Sequence, residues 1–128
     1  MILLDTCSLL WLDSNREAFS PETLDLLNRY SDAMAVSPVS FMEIGIKAKK
    51  GRLELPVVLD KWSDEICSQY SLTVLPVTRA IAVYAAGLPE IHRDPFDRII
   101  IATAALNNMK VLTADKTFTE YKCIKVIW

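Results

Sequence analysis

Ile2-Leu3-Leu4-Asp5-Thr6 is the stretch of sequence that decides the fold, because three apolar residues are followed directly by a carboxylate. A short apolar run of this kind predicts a buried strand of a parallel sheet, and residues 6–12 place their apolar side chains at helical spacing. The charge of Asp5 is costly to desolvate at the end of a buried strand. Asp5 is therefore either the N-cap of the helix that begins at Thr6 or part of a functional site.

Strand-like and helix-like segments alternate along the rest of the chain. Four more apolar segments predict strands, at residues 33–36, 72–77, 110–113 and 123–127. The intervening segments predict helices, at residues 21–30, 38–50, 57–70, 79–86 and 96–107. This order predicts a single α/β domain, residues 1–128, with a five-stranded parallel sheet between two layers of helices. Ligands of such folds bind beyond the carboxyl ends of the strands.

The composition fits one globular domain and excludes several classes of protein. The 128 residues are 52% hydrophobic and 23% charged, which provides enough apolar material for a core and excludes a disordered chain. The formal net charge of −2 gives no basic footprint of the kind that marks many nucleic-acid-binding proteins. No apolar run is long enough to span a membrane, and we expect no signal peptide.

Cysteine and histidine give no sign of a disulfide framework or a zinc site. Cys7, Cys67 and Cys123 have no pair spacing, so we expect them to be buried apolar residues of a reduced, cytoplasmic protein. The chain has one histidine, His92, and no CxxC motif, which disfavours zinc.

Five acidic residues are predicted to lie near one edge of the sheet. Asp115 follows the fourth predicted strand as Asp5 follows the first, and the other three lie in or before helices: Glu43, Asp94 and Asp97. Carboxylates about 5 Å apart repel by about 3 kcal/mol per pair at an effective dielectric constant of about 20. Such a cluster must bind protons or cations, and all-oxygen ligation favours Mg²⁺ or Mn²⁺. Two such ions could hydrolyse the backbone of a nucleic acid.

Three of these acidic residues also have a purely structural interpretation in a helix start. Glu43 completes a Ser40-x-x-Glu43 capping box if a helix begins at Ser40, whereas a start at Ser37-Pro38 leaves Glu43 free. Asp94 precedes a proline and is a normal N-cap, and Asp97 would favour the helix dipole from the first turn.

The remaining polar candidates are open to similar interpretations. Asp115 could lie in a surface turn, and His92 is expected to be an ordinary loop histidine. The basic run at residues 47–52 is usually a solvated helix end, and a phosphate-binding role is its alternative.

Four segments together resemble the PIN domain, specifically the ribonuclease toxins of VapBC-type toxin–antitoxin pairs. They are Leu3-Leu4-Asp5-Thr6, Ser40-x-x-Glu43-Ile44, His92-Arg93-Asp94-Pro95-Phe96-Asp97-Arg98 with Ile101-Ala102 following, and Leu112-Thr113-Ala114-Asp115. Their order and spacing cover nearly the whole chain, and the third segment, followed by an apolar helix, is the most specific. The resemblance implies a three-layer PIN-like fold and a Mg²⁺- or Mn²⁺-dependent endoribonuclease.

The resemblance also implies roles for individual residues. The implied metal ligands and catalytic residues are Asp5, Glu43, Asp97 and Asp115. Thr6 and Thr113 match hydroxyl positions that support these carboxylates, and Asp94 would be a neighbour of the site. Lysines around the rim are candidates for contacts with RNA phosphates: Lys47, Lys49, Lys50 and Lys116.

The same resemblance implies an RNA substrate, a homodimer, and a small antitoxin that blocks the acidic site, often with a basic side chain. Three alternatives remain: an inactive PIN-fold protein that only binds a basic partner, a Mg²⁺-dependent phosphatase of the HAD type, and a receiver-like signalling domain. The phosphatase needs a second aspartate two residues after the first, where this chain has Cys7. The receiver expects an aspartate at the end of strand three, where this chain has Val77-Thr78.

Overall fold

The computed structural model describes residues 1–128 as five short strands and six helices. The strands are β1 (Ile2–Leu4), β2 (Met34–Val36), β3 (Thr73–Val74), β4 (Lys110–Leu112) and β5 (Lys125–Ile127). The helices are α1 (Thr6–Ser14), α2 (Pro21–Arg29), α3 (Pro38–Lys49), α4 (Leu59–Gln69), α5 (Arg79–Ala86) and α6 (Pro95–Leu106). Two short 3₁₀ turns, Arg16–Ala18 and Lys116–Glu120, follow α1 and β4.

The five strands form one parallel sheet in the order β3-β2-β1-β4-β5, which confirms the predicted fold. Leu3 of the central strand is in register with Ala35 of β2 on one side and with Val111 of β4 on the other. The chain builds the sheet outward from β1 to β3 and then returns to the opposite side of β1 with β4. The boundary between β1 and β4 is therefore the switch point, beyond which ligands bind in open parallel sheets.

Alternate side chains of β1, β2 and β4 enter separate cores on the two faces of the sheet. Ile2 and Leu4 belong to a cluster that also holds the buried residues of α1, α2 and α4. Leu3 belongs to a second cluster with Ile100, Ile101 and other residues of α6. This division follows from the two-residue period of a strand and gives the three layers.

Capping residues start the helices where the sequence predicts them. The Ser20 hydroxyl accepts a hydrogen bond from Thr23 N–H (3.1 Å), and Thr78 accepts one from Ile81 N–H (3.1 Å). Ser37 is the N-cap of α3, so the helix begins before Ser40 and the capping-box interpretation of Glu43 is wrong. Glu43 is left in the second turn of α3 with its carboxylate free for other contacts.

Two expectations are corrected. The third strand is Thr73–Val74 instead of residues 72–77, because its partner β2 ends at Val36, where Ser37 and Pro38 begin α3. Cys7 and Cys123 are exposed and Cys67 is only half-buried, so the cysteines are not core residues. Cys7 lies away from the buried face of α1, which carries Thr6, Ser8, Leu9 and Leu12. None of the helices has the length and apolar character needed to cross a membrane.

Candidate active site

Asp5 is held rigidly at the carboxyl end of β1, where it is only 5% exposed. Its Oδ1 atom caps α1 by accepting a hydrogen bond from Ser8 N–H (2.8 Å). Its Oδ2 atom accepts a hydrogen bond from the Thr113 hydroxyl (2.6 Å). Burial raises the pKa of Asp5, although the bonds from Thr113 and Ser8 oppose this shift. Asp5 is thus the N-cap of α1 through one oxygen, and its other oxygen is held by Thr113, just beyond the end of β4.

Thr113 links Asp5 to Asp115 across the β1–β4 boundary. The Thr113 Oγ1 atom donates to Asp5 and accepts from Asp115 N–H (3.0 Å). Desolvation works to raise the pKa of Asp115, but hydrogen bonds from Thr117 N–H and from His92 outweigh it and lower this pKa. Asp115 is therefore an anchored carboxylate near the strand end, and it also starts a surface turn, because it is the N-cap of the 3₁₀ turn Lys116–Glu120 and its side chain is 41% exposed.

His92 lies between two of the predicted site carboxylates. Its Nε2 atom is 2.8 Å from Asp97 Oδ2 and 3.1 Å from Asp115 Oδ2. These three side chains can each offer one ligand atom within 4.8 Å of the others, an arrangement that could hold a metal ion. His92 does lie in a loop, but it is not an ordinary loop histidine. Its position two residues before the Asp94-Pro95-Phe96-Asp97 segment is the one sequence signal that could have identified it.

Among the site residues, Asp97 has the pKa that departs most from its ordinary value. Burial raises its pKa to about 7, with further increases from the negative charges of Asp94, Glu43 and Asp5, while His92 acts in the opposite direction. Negative charge at this edge of the sheet is therefore only partly balanced by the protein's own cations and hydrogen-bond donors. A bound divalent cation would supply the missing positive charge.

Glu43 approaches the site from α3 and is held by two partners. The Thr6 hydroxyl donates to Glu43 Oε1 (2.7 Å), and this hydroxyl also lies 3.1 Å from Ser40 Oγ. Lys47 Nζ lies 3.0 Å from Glu43 Oε2, one helical turn along α3. Thr6 therefore orients this carboxylate, and Lys47 balances its charge.

The predicted site residues thus fall into two groups. His92 contacts both Asp97 and Asp115, and these three residues form a trio. Asp5 and Glu43 lie outside this trio. Hydrogen bonds of Thr113 connect Asp5 to the trio. The negative charges of Asp5 and Glu43 both raise the pKa of Asp97.

The remaining predicted residues lie at the edges of this network. Asp94 is the N-cap of α6 and accepts from Phe96 N–H (2.8 Å). Lys49, Lys50 and Lys116 are exposed.

The raised pKa of Asp97 predicts how the stability of the metal-free protein depends on pH. Folding favours the protonated carboxyl, so its stabilising contribution is present below about pH 4 and is lost as pH rises through about 7. The lowered pKa of Asp115 has the opposite effect on stability, because folding favours its ionised carboxylate. This contribution is lost only as pH falls below about 4. We expect the melting temperature in EDTA to fall between about pH 5 and about pH 8. Added Mn²⁺ should make this decline of the melting temperature smaller. A melting temperature that rises with pH in EDTA would contradict the raised pKa of Asp97.

A parallel sheet between two layers of helices, with carboxylates gathered at its switch point, defines the class of protein. The PIN domain profile matches residues 2–122, and the chain belongs to the PIN domain family. Among individual proteins, it is 24% identical to ribonuclease VapC22 of Mycobacterium tuberculosis over 122 residues, covering 94% of this chain and 92% of the relative.

Solved structures of the same fold confirm the architecture. The VapBC2 complex of Rickettsia felis, bound to a promoter DNA fragment, contains a chain that matches with a TM-score of 0.73 at 15% identity. This match covers 99% of this chain and 98% of that one. A toxin–antitoxin complex from Klebsiella pneumoniae matches with a TM-score of 0.68 at 22% identity, covering 100% of this chain and 97% of that chain.

Proposed function

We propose that this protein is a metal-dependent endoribonuclease and the toxin of a type II toxin–antitoxin pair. The observation that carries this proposal is the hydrogen-bonded series Asp5–Thr113–Asp115–His92–Asp97 at the switch point of a PIN-domain sheet. The ribonuclease name of the M. tuberculosis relative and the toxin–antitoxin complexes among the structural neighbours support it. In this proposal residues 1–128 form one catalytic domain that acts in the cytoplasm.

The donor atoms of the site fit Mg²⁺ or Mn²⁺. The residues that would hold the metal are Asp5, Glu43, Asp97 and Asp115. Carboxylate oxygens are the ligands that these hard cations prefer, and a cation would offset both the burial and the neighbouring negative charges that raise the pKa of Asp97. When bound, such an ion activates water and stabilises the charge that develops on a phosphodiester.

The protein's own residues prepare the site for this chemistry. The hydroxyls of Thr113 and Thr6 fix one oxygen each of Asp5 and Glu43, which leaves the orientation of both carboxylates defined before any ligand binds. Asp97 must lose its proton to act as a ligand, so we expect cleavage to increase with pH as the pKa near 7 is passed.

Substrate and partner contacts follow from the charges around the site. The exposed lysines are suited to bind RNA phosphates: Lys49, Lys50 and Lys116. Lys47 is already paired with Glu43 and would act on RNA only after leaving that carboxylate. A small antitoxin with a basic side chain would complement the acidic pocket and block it. We further propose that the toxin is a homodimer.

Removing divalent metal should abolish RNA cleavage without unfolding the protein. We expect no cleavage of structured RNA in EDTA and recovery on addition of Mn²⁺ or Mg²⁺, because in this proposal a bound divalent ion supplies the activation of water and the charge stabilisation. Thermal melting in the same buffers controls for loss of fold. Equal cleavage with and without EDTA would contradict metal dependence.

A second candidate function is an inactive PIN-fold protein that only binds a basic partner. The observation in its favour is His92, which places a hydrogen-bond donor between Asp97 and Asp115, where a partner's basic group or a metal would otherwise act. Calorimetric titration separates the two candidates, because absence of Mn²⁺ binding would favour the inactive protein.

A further inference from the structure

Arg98 is the last residue of the specific His92–Arg98 motif, and neither the proposed metal site nor the proposed RNA contacts use it. Its half-buried guanidinium donates four hydrogen bonds, all of them to backbone carbonyls. The acceptors are Ala85 O (2.9 Å), Leu88 O (2.8 Å), Pro89 O (2.9 Å) and His92 O (3.1 Å). The arginine therefore ties the carboxyl end of α5 and the loop after it to the first turn of α6.

Tyr121 holds the same loop from a different part of the chain. This side chain is buried, and its Oη atom accepts a hydrogen bond from His92 N–H (2.6 Å) and donates one to Pro89 O (3.2 Å). The His92 ring also packs edge-on against Phe118, with 5.7 Å between ring centroids. The backbone and the ring of His92 are thus both fixed by residues far along the sequence.

The orientation of the imidazole determines which atom faces the carboxylates. Asp94 N–H lies 3.4 Å from Nδ1, which acts as the acceptor of this contact. In the neutral ring the proton is then on Nε2, the atom that lies 2.8 Å from Asp97 and 3.1 Å from Asp115. One donor therefore bridges two carboxylates, a contact that depends on the loop holding its position to within a fraction of an ångström.

We propose that Arg98 is a positioning residue that clamps the loop between α5 and α6 so that His92 bridges Asp97 and Asp115. A lysine cannot replace it, because only a planar guanidinium can donate to four carbonyls in two directions at once. The significance of the clamp for catalysis rests on the proposed ribonuclease function. The clamp itself is a property of the folded chain and can be tested without RNA.

The test uses the fact that His92 is the only histidine in the chain. A nitrogen-detected imidazole spectrum of the untagged, metal-free protein therefore reports on this residue alone. We expect the neutral imidazole of the wild type to show the Nε2–H tautomer. Arg98→Lys should shift the spectrum toward a mixture of tautomers, and Tyr121→Phe should do so through loss of the second contact.

Arg93→Lys is the matched control, because Arg93 lies in the same loop but is exposed and makes no side-chain hydrogen bond. Its imidazole spectrum should equal that of the wild type. All spectra are compared at a temperature at which melting curves show every variant to be folded. A wild-type tautomer signal in Arg98→Lys would overturn the proposal, whatever the Tyr121→Phe spectrum shows. If Arg98→Lys does not fold, Arg98→Gln, which also lacks the guanidinium, replaces it in the same measurement.

A cleavage assay then separates this inference from the proposed function. We expect Arg98→Lys to lower the rate of RNA cleavage by about 10- to 100-fold, the usual effect of losing a group that orients a site residue, while Arg93→Lys has no effect. A changed imidazole spectrum in a protein that never cleaves RNA would support the clamp and contradict the ribonuclease. A normal cleavage rate with a changed spectrum would show that the clamp is irrelevant to catalysis and overturn its positioning role.

Discussion

Replacing Asp97 with asparagine is expected to abolish RNA cleavage and, at the same time, to stabilise the metal-free protein at neutral and alkaline pH. Both effects have the same cause. The carboxylate lies partly buried among the negative charges of Asp94, Glu43 and Asp5, and this environment raises its pKa to about 7. Asparagine keeps the shape of the side chain and an oxygen that can accept from His92 Nε2, but it carries no charge.

The expected magnitudes differ greatly between the two measurements. Loss of a charged ligand should lower the cleavage rate by about 1,000-fold or more, since electrostatic stabilisation usually contributes most to the acceleration of such reactions. The free energy of unfolding in EDTA should rise by about 1–3 kcal/mol near pH 8, where wild-type Asp97 is ionised in the folded protein. The gain should shrink as pH falls through about 7 and vanish below about pH 4, where the wild-type carboxyl is protonated in both the folded and the unfolded protein.

Chemical denaturation and a cleavage assay on the same preparations measure both effects. Asp64→Asn is the control, because Asp64 is exposed on α4 and distant in the chain from the site residues. It removes one carboxylate without touching the cluster and should leave cleavage and stability nearly unchanged. A loss of stability at pH 8 in Asp97→Asn would show that the carboxylate is held by favourable contacts and not by unrelieved repulsion.

The parts of this structure that sequence can predict are those that depend on neighbouring residues. The strands Ile2–Leu4 and Lys110–Leu112 are predictable because an apolar run and its end are local features, and the helix starts at Ser37 and Asp94 follow from capping chemistry. Since parallel strands end at the same edge, the meeting of Asp5 and Asp115 near Thr113 also follows.

The parts that could not be predicted depend on contacts between distant segments. Arg98 donates hydrogen bonds to the backbone carbonyl of His92 and to that of Ala85 at the end of α5. Tyr121, 29 residues away from His92 along the chain, accepts a hydrogen bond from His92 N–H. These contacts set the position of His92. No local pattern encodes such a convergence. The exposure of Cys7 escapes prediction for a related reason: the burial of one helical face depends on which side of α1 meets the sheet, and cysteine is apolar enough to fit either.

Asp5 presents a different case, because the two interpretations that compete in the sequence, a helix cap and a site residue, do not exclude each other in the structure. Its Oδ1 atom caps α1 and its Oδ2 atom receives the Thr113 hydroxyl. A cap needs only a hydrogen-bond acceptor, whereas a metal ligand of this kind needs a charged oxygen. The two roles can therefore be separated by substitutions that preserve one requirement and remove the other.

We expect Asp5→Asn and Asp5→Ala to lose cleavage equally but to differ in stability. Both remove the charge, so each should lower the cleavage rate by about 1,000-fold or more. Asparagine retains an acceptor for Ser8 N–H, while alanine leaves that amide and the proton of the Thr113 hydroxyl without an acceptor in a buried site. Alanine should therefore lower the free energy of unfolding by about 1–3 kcal/mol relative to asparagine.

The comparison between Asp5→Asn and Asp5→Ala, rather than either variant alone, tests whether Asp5 acts both as a cap and as a charged ligand. Because both lack the charge, the difference in unfolding free energy isolates the hydrogen bonds, and it should persist unchanged with and without Mn²⁺. Equal stability of the two variants would mean that the cap contributes nothing and that Asp5 is present for charge alone. Substantial cleavage by Asp5→Asn would place the essential charge elsewhere, on the trio formed by His92, Asp97 and Asp115.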